Sequence, residues 1–194
     1  IYAIFRMIVQ LLLIGYVLTY IFGTNSYSIV ITILIIMLLA ASWISLRTTS
    51  LPRKTLILNA FFSIVIGGVA VLIIVTQGVL LIDPWYSPSI IIPLAGMIFA
   101  NCMNGISLAA ERLESELKQG KTYEEAKVVA LRISLIPITN MLLAVGIVSL
   151  PGMMTGQILS GVSPMIAVRY QVMVMCMLFG STGISVAVFL QSVR

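Results

Sequence analysis

The sequence predicts an all-α protein: a polytopic bundle of about six transmembrane helices, with one further helix at the cytoplasmic surface. Three observations predict it. Hydrophobic residues make up 60% of the 194-residue chain and the mean hydropathy is +1.16. Charged residues make up 9%, against roughly 25% in soluble domains. The charges are also concentrated, because Glu111–Arg132 (ERLESELKQGKTYEEAKVVALR) holds ten of the seventeen. Long apolar runs lie on both sides of that stretch.

The runs follow in order. Ile1–Phe22 is the first, with Arg6 near its start, and Gly23–Tyr27 is a turn. Ser28–Leu46 is the second, followed by the basic segment Arg47–Lys54. Thr55–Ile82 is the third, long enough to tilt and interrupted by Gly67-Gly68. The turn Asp83–Ser89 is Pro-rich, with Trp85 and Tyr86 as interfacial anchors. Ile90–Ala110 is the fourth run, Ile133–Leu150 the fifth and Met165–Gln191 the sixth, with a break at Pro151–Pro164. Each run approaches the roughly 20 residues that cross the hydrocarbon as a helix. No useful internal repeat occurs, so residues 1–194 read as a single transmembrane domain with the charged loop 111–132 as its polar part.

Six crossings alternate the loops. One side then collects Arg6, Arg47, Arg53, Lys54, Arg194 and the five basic residues of the charged loop, while Arg169 alone falls on the other. Excess Lys and Arg mark the cytoplasmic side. The net charge of +5 therefore reflects orientation and does not point to nucleic acid.

The charged loop reads as two helical pieces. Glu111–Lys118 carries the fourth helix into water, with Glu114 and Lys118 at i,i+4. Gly120 stops it. Thr122-Tyr123-Glu124-Glu125 has capping-box spacing and starts a second helix, with Glu124 and Glu125 at the positive end of its dipole. A short helix projecting from a membrane domain can enter a groove on a soluble subunit. An ordinary solvated connector fits the same residues.

Several chemistries lack their residues. The chain has no His, every acid except Asp83 lies in the charged loop, and no P-loop motif occurs. Asp and Glu are absent from the middle of the apolar runs, where proton- or sodium-coupled transporters often carry one. The reading is therefore not an enzyme, and an active transporter of this sequence draws its energy from another subunit. Cys102 and Cys176 lie in apolar runs as small hydrophobes.

Three features remain as candidate transport elements. Asn101, Asn104 and Ser107 form a polar stripe in the fourth run, beside the small pair Gly96 and Ala100; Asn140 is polar in the fifth, near a kink at Pro137. They suit either a translocation path or helix–helix hydrogen bonds. Pro151, Gly152, Met153, Met154, Gly156 and Gln157 belong to a broken but apolar segment, which suits an outer gate, a re-entrant turn or a simple external hairpin. Of the eleven methionines, Met97, Met103, Met153 and Met154 are weak candidates for soft-metal ligands, against their ordinary use as core filler.

IPLAGMIFANCMNGISLAAERL (Ile92–Leu113) and LIPITNMLLAVGIVSLPGMMTGQILSGVSPMIAVRYQ (Leu135–Gln171) resemble the FetB-type membrane subunit of iron-export ABC transporters. The resemblance covers most of the chain and is tightest from Ile92 onward, where VSLPGMMTGQILSG is the most specific string. It implies a permease in a bacterial inner membrane that pairs with itself and with two copies of a cytosolic FetA-type ATPase. ATP and Mg then belong to that partner, with no cofactor in this chain. It also implies a coupling role for Gly120, Lys121, Thr122, Tyr123, Glu124, Glu125 and Ala126. Bacterial members are linked to iron export and oxidative-stress resistance, and plant relatives to aluminium tolerance and nucleotide-sugar transport, so the substrate stays open between a metal and an organic molecule. The sequence departs from the family in a shorter cytoplasmic loop and in Lys121 where the turn carries Ala, and the resemblance implies one more hydrophobic segment before Ile1. A non-transporting scaffold or regulatory subunit and a passive channel are the rival classes.

Overall fold

The computed structural model describes residues 2–23, 26–49 and 53–193; side chains are described for these except Ala3 and residues 53–55. The basic side chains of Arg53, Lys54 and Arg194, and part of the turn after Phe22, fall outside the described residues. The elements among the described residues are helices: α1 Tyr2–Phe22, α2 Tyr27–Ser45, α3 Arg53–Ile64, α4 Ala70–Ile73, α5 Pro88–Lys118, α6 Tyr123–Ser134, α7 Ile136–Ala144, α8 Gly152–Leu159 and α9 Pro164–Ser192. Among the described residues, six spans are long and apolar enough to cross a membrane.

The third run is one helix from Arg53 to Val79, because π-helical turns at Val65–Val69 and Ile74–Val79 flank α4 without breaking it. Apolar periodicity does not reveal such turns, which add a residue to a turn and rotate the following face. The first of them buries Gly67 and Gly68. Gly67 lies against the backbone of α9 at Ser181 and Ser185, and Gly68 against Ile98 and Phe99 of α5. Gly105 makes the matching close approach from α5 to Thr182 and Val186. Gly96 and Ala100 do not serve this purpose: Ala100 is exposed and Gly96 faces the end of the Met37 side chain. The small residues that let helices meet are therefore Gly67 and Gly105, set against Ser181, Thr182 and Ser185.

Helices α5 and α9 form the centre, with α2 and α3 packed on them. Ile98, Cys102, Ile106 and Leu113 of α5 are fully buried, with Val186, Phe189 and Leu190 of α9. Helix α1 is apolar all round and, among its described side chains, buries only Ile21; such a helix suits a lipid surround. The 31 residues of α5 span about 46 Å, more than the roughly 30 Å of hydrocarbon. Its charged last turns, and the first turn of α6, therefore extend beyond the membrane.

The fifth crossing differs from its expected bounds. It runs from α6 into α7, Tyr123–Ala144, with a break only at Leu135, where Pro137 lacks the amide a continuous helix needs. Val145–Leu150, placed in that crossing by its apolarity, is a turn instead, with Gly146 at φ +81. Nor does α6 project from the domain: Ala126 and Ala130 are 0% exposed and lie against α5. Small side chains on this face let the two helices lie together.

Candidate functional site

Two sites are built on α5, one at its charged end and one along a single face. At the charged end the expected Glu114–Lys118 pair is present at 2.5 Å. Glu114 also accepts a hydrogen bond from Thr49 at 2.6 Å, which ties the α2–α3 connection to α5. Glu116 is 0% exposed and pairs with Arg112, one turn back, and with Lys121, across the turn. Lys121 also donates its amide to the Glu116 carbonyl at 3.3 Å. The Lys121 hydrogen bond, then the Arg112 charge, hold the Glu116 carboxyl below the usual carboxylate range, against the opposing effect of burial.

Gly120 takes φ +85, a left-handed conformation that favours glycine at a helix end. The capping box then forms as the spacing predicts. Thr122 accepts from the Glu125 amide at 3.5 Å, and Glu125 accepts from the Thr122 amide at 3.0 Å. The Thr122 hydroxyl, which also donates to the Glu125 carboxylate at 2.8 Å, and then the Thr122 amide hold the Glu125 carboxyl below its ordinary range. Glu124 is exposed and lies 3.6 Å from Lys127. The Tyr123 hydroxyl donates to the Leu190 carbonyl near the end of α9. The turn is thus joined to α5 through Glu116 and to α9 through Tyr123, while Lys121, Thr122, Glu124 and Glu125 remain exposed on its outer side. The i,i+4 spacing of Arg112 and Glu116 was a readable signal. The ties to Thr49 and Leu190 cross 65 and 67 residues of sequence and carried none.

Along α5, Pro93, Met97, Asn101, Asn104 and Leu108 recur at helical spacing, and two cavities open over them. The first, about 670 Å³, lies at the end away from the charged turn; Pro93 and Met97 face Met153 and Gln157 of α8 and Tyr170 and Met173 of α9. The second, about 240 Å³, is bordered by Asn101, Asn104, Leu108, Pro137, Met141 and Thr182. Asn101 donates its amide to the Met97 carbonyl at 2.9 Å, which places it between the two. Thr182 Oγ1 and Gln157 Oε1 are buried and make no hydrogen bond among the described residues. Each cavity thus has an unused polar atom, which in a protein interior calls for a partner.

Other residues on the stripe fall elsewhere. Ser107 turns to α2, where it donates to the Ser45 carbonyl at 2.7 Å; one residue's rotation from Leu108 removes it from the cavity face. Asn140 is exposed and borders neither cavity. The broken segment contains a helix of its own. Pro151 caps α8, and its carbonyl accepts from Thr155 at 2.9 Å. Gly152 and Gly156 have open space where a side chain would stand. Met153 and Gln157 face the larger cavity, whereas Met154 borders a separate apolar one of about 360 Å³ with Gln171 and Cys176. Met103 packs against the core. Of the four methionines singled out, only Met97 and Met153 share a cavity.

Six apolar spans, a rigid charged turn at one end and cavities along a central helix define a polytopic helical membrane protein. The chain belongs to the uncharacterised protein family UPF0014, which matches residues 1–129 and 121–194. It is 31% identical to the probable iron export permease protein FetB of Escherichia coli, over 93% of this chain and 74% of that protein. It is 34% identical to the UPF0014 membrane protein YjkA of Bacillus subtilis, over 94% and 78%. It is 32% identical to the protein ALUMINUM SENSITIVE 3 of Arabidopsis thaliana, over 95% and 72%. No solved structure matches the chain.

Proposed function

We propose that the chain is the membrane-spanning permease of an ATP-driven exporter that moves iron or another metal out of the cytoplasm. It works as a homodimer in a bacterial inner membrane, with a cytosolic ABC ATPase on each copy. ATP and Mg are held by that ATPase. The resemblance to a relative named as a probable iron export permease supports the class of cargo.

The observation that carries this reading is the double attachment of the charged turn, to α5 through Glu116 and to α9 through Tyr123. A push on Gly120–Ala126 reaches both central helices without slack. The exposed Lys121, Thr122, Glu124 and Glu125 form the surface the ATPase grips. Tilting α5 against α9 changes access to the Asn101 and Asn104 face, and α8, with Pro151, Gly152, Met153, Met154, Gly156 and Gln157, closes the opposite side. The amides exchange for part of a cargo's hydration shell, and no carboxylate borders the Asn101 and Asn104 cavity to hold it there.

Tyr123→Arg combined with Glu125→Arg tests the docking. It removes the tie to α9 and the capping box, and reverses the charge of the gripping surface. Copurification of the ATPase with the full-length permease is expected to be lost, and export with it. Unchanged copurification and export would place the contact elsewhere.

A further inference from the structure

We propose that the larger cavity, at the end of α5 away from the charged turn, is a thioether site for a soft, low-valent metal cation. The inference rests on the exporter reading only in naming this the exit side; the binding site itself stands on the cavity. Met97 of α5, Met153 of α8 and Met173 of α9 bring three thioethers from three helices to one space of about 670 Å³. Met97 and Met173 also pack in part against the core, but where a filler methionine is closed in by apolar neighbours, these three border an open space. Asp83 lies at the same cavity and is the sole acid of the chain outside Glu111–Arg132. Gln157 adds a buried amide oxygen with no hydrogen-bond partner among the described residues.

The donor set decides the class of cation. Thioether sulfur favours soft, low-valent ions and discriminates against hard, trivalent ones. The Asp83 carboxylate balances charge and the Gln157 amide oxygen adds a neutral donor, without converting the site to an all-oxygen one. Among the described residues no three of His, Cys, Asp and Glu come together, so thioethers are the densest set of soft donors this cavity has. The site takes a reduced metal cation, not its oxidised, hard form. Met173 joins Met97 through the fold alone, since the two are far apart in sequence and face each other across the α5–α9 contact.

The probe is Ag(I), a soft cation that does not change oxidation state here. The full-length permease carries Cys176→Ser, which removes the exposed thiol that would compete for Ag(I). It is placed in lipid nanodiscs without the ATPase and oxidised mildly with and without Ag(I), and each methionine is followed by mass spectrometry. Ag(I) is expected to slow oxidation of Met97, Met153 and Met173 together severalfold. Met165 and Met7, exposed on other surfaces, are expected to react as before. A triple Met→Leu variant at positions 97, 153 and 173 keeps nearly the same apolar volume and is expected to lose one bound Ag(I) per chain. Met153→Leu alone, on the exposed helix α8, serves if the triple variant fails to fold, and is expected to weaken Ag(I) binding severalfold. Equal protection of Met165 and Met7, or undiminished Ag(I) binding by the variants, would overturn the site. Because the ATPase is absent, that failure is distinct from failure of the exporter reading, which copurification and export measure separately.

Discussion

Gly67→Ala is expected to lower the thermal stability of the folded protein strongly. A Cβ at this position would stand 2.6 Å from the Ser185 amide nitrogen and 2.9 Å from the Ser181 carbonyl oxygen, with the Ser185 hydroxyl nearer still. Two of these neighbours are backbone, so no rotamer change relieves the contact. The helices must separate, and α9 then also loses register with Gly105 of α5. Overpacking a well-filled interior costs about 1–3 kcal/mol, and an unyielding backbone puts this case at the upper end. Size-exclusion chromatography after graded heating measures it. Gly180→Ala is the comparison: it lies on α9 with nothing within 4 Å of the added carbon, and alanine is worth about 0.5–1 kcal/mol over glycine inside a helix. Gly180→Ala is expected to match or exceed the parent protein, and equal behaviour of the two variants would refute the close packing at Gly67.

Glu116→Gln is expected to uncouple ATP hydrolysis from export. The amide keeps the shape of the side chain but leaves Arg112 and Lys121 facing one another with no negative charge between them. The turn from Gly120 to Thr122 then loses its fixed position relative to α5, while the outer surface of α6 is unchanged. The ATPase is expected to bind and hydrolyse, with export per ATP falling about tenfold, the equivalent of roughly 1.4 kcal/mol of lost coupling. A simple folding defect would lower assembly, hydrolysis and export together. A parallel fall of all three therefore counts against a positioning role for Glu116, and a selective fall in the export-to-hydrolysis ratio supports it.

The legible parts of this fold were those set by local chemistry. Thr122 and Glu125 announce a helix start because a capping box needs only four consecutive residues. Gly120 announces a stop because the conformation there favours glycine. Apolar length located the membrane spans. What the sequence hid depends on partners distant in the chain. The π-helical turns around α4 leave hydropathy unchanged, so the meeting of Gly67 with Ser181 and Ser185 could not be read from spacing. Ser107 looked like a continuation of the Asn101 and Asn104 stripe, but its partner is the Ser45 carbonyl. Val145–Leu150 is apolar enough for a membrane helix, yet Gly146 turns the chain there. The methionines divided only when α8 and α9 were in place: Met153 and Met173 came to the cavity at Met97, while Met103 borders neither cavity along α5 and Met154 lines another.

Metal export driven by a partner ATPase is tested by the movement of ferrous iron across lipid vesicles that contain the full-length chain and its cognate ATPase. Transport away from the ATPase side is expected, and it is expected to require ATP, the permease and the ATPase together. A complex that assembles and hydrolyses ATP yet moves no metal would contradict it and leave this chain as a membrane scaffold.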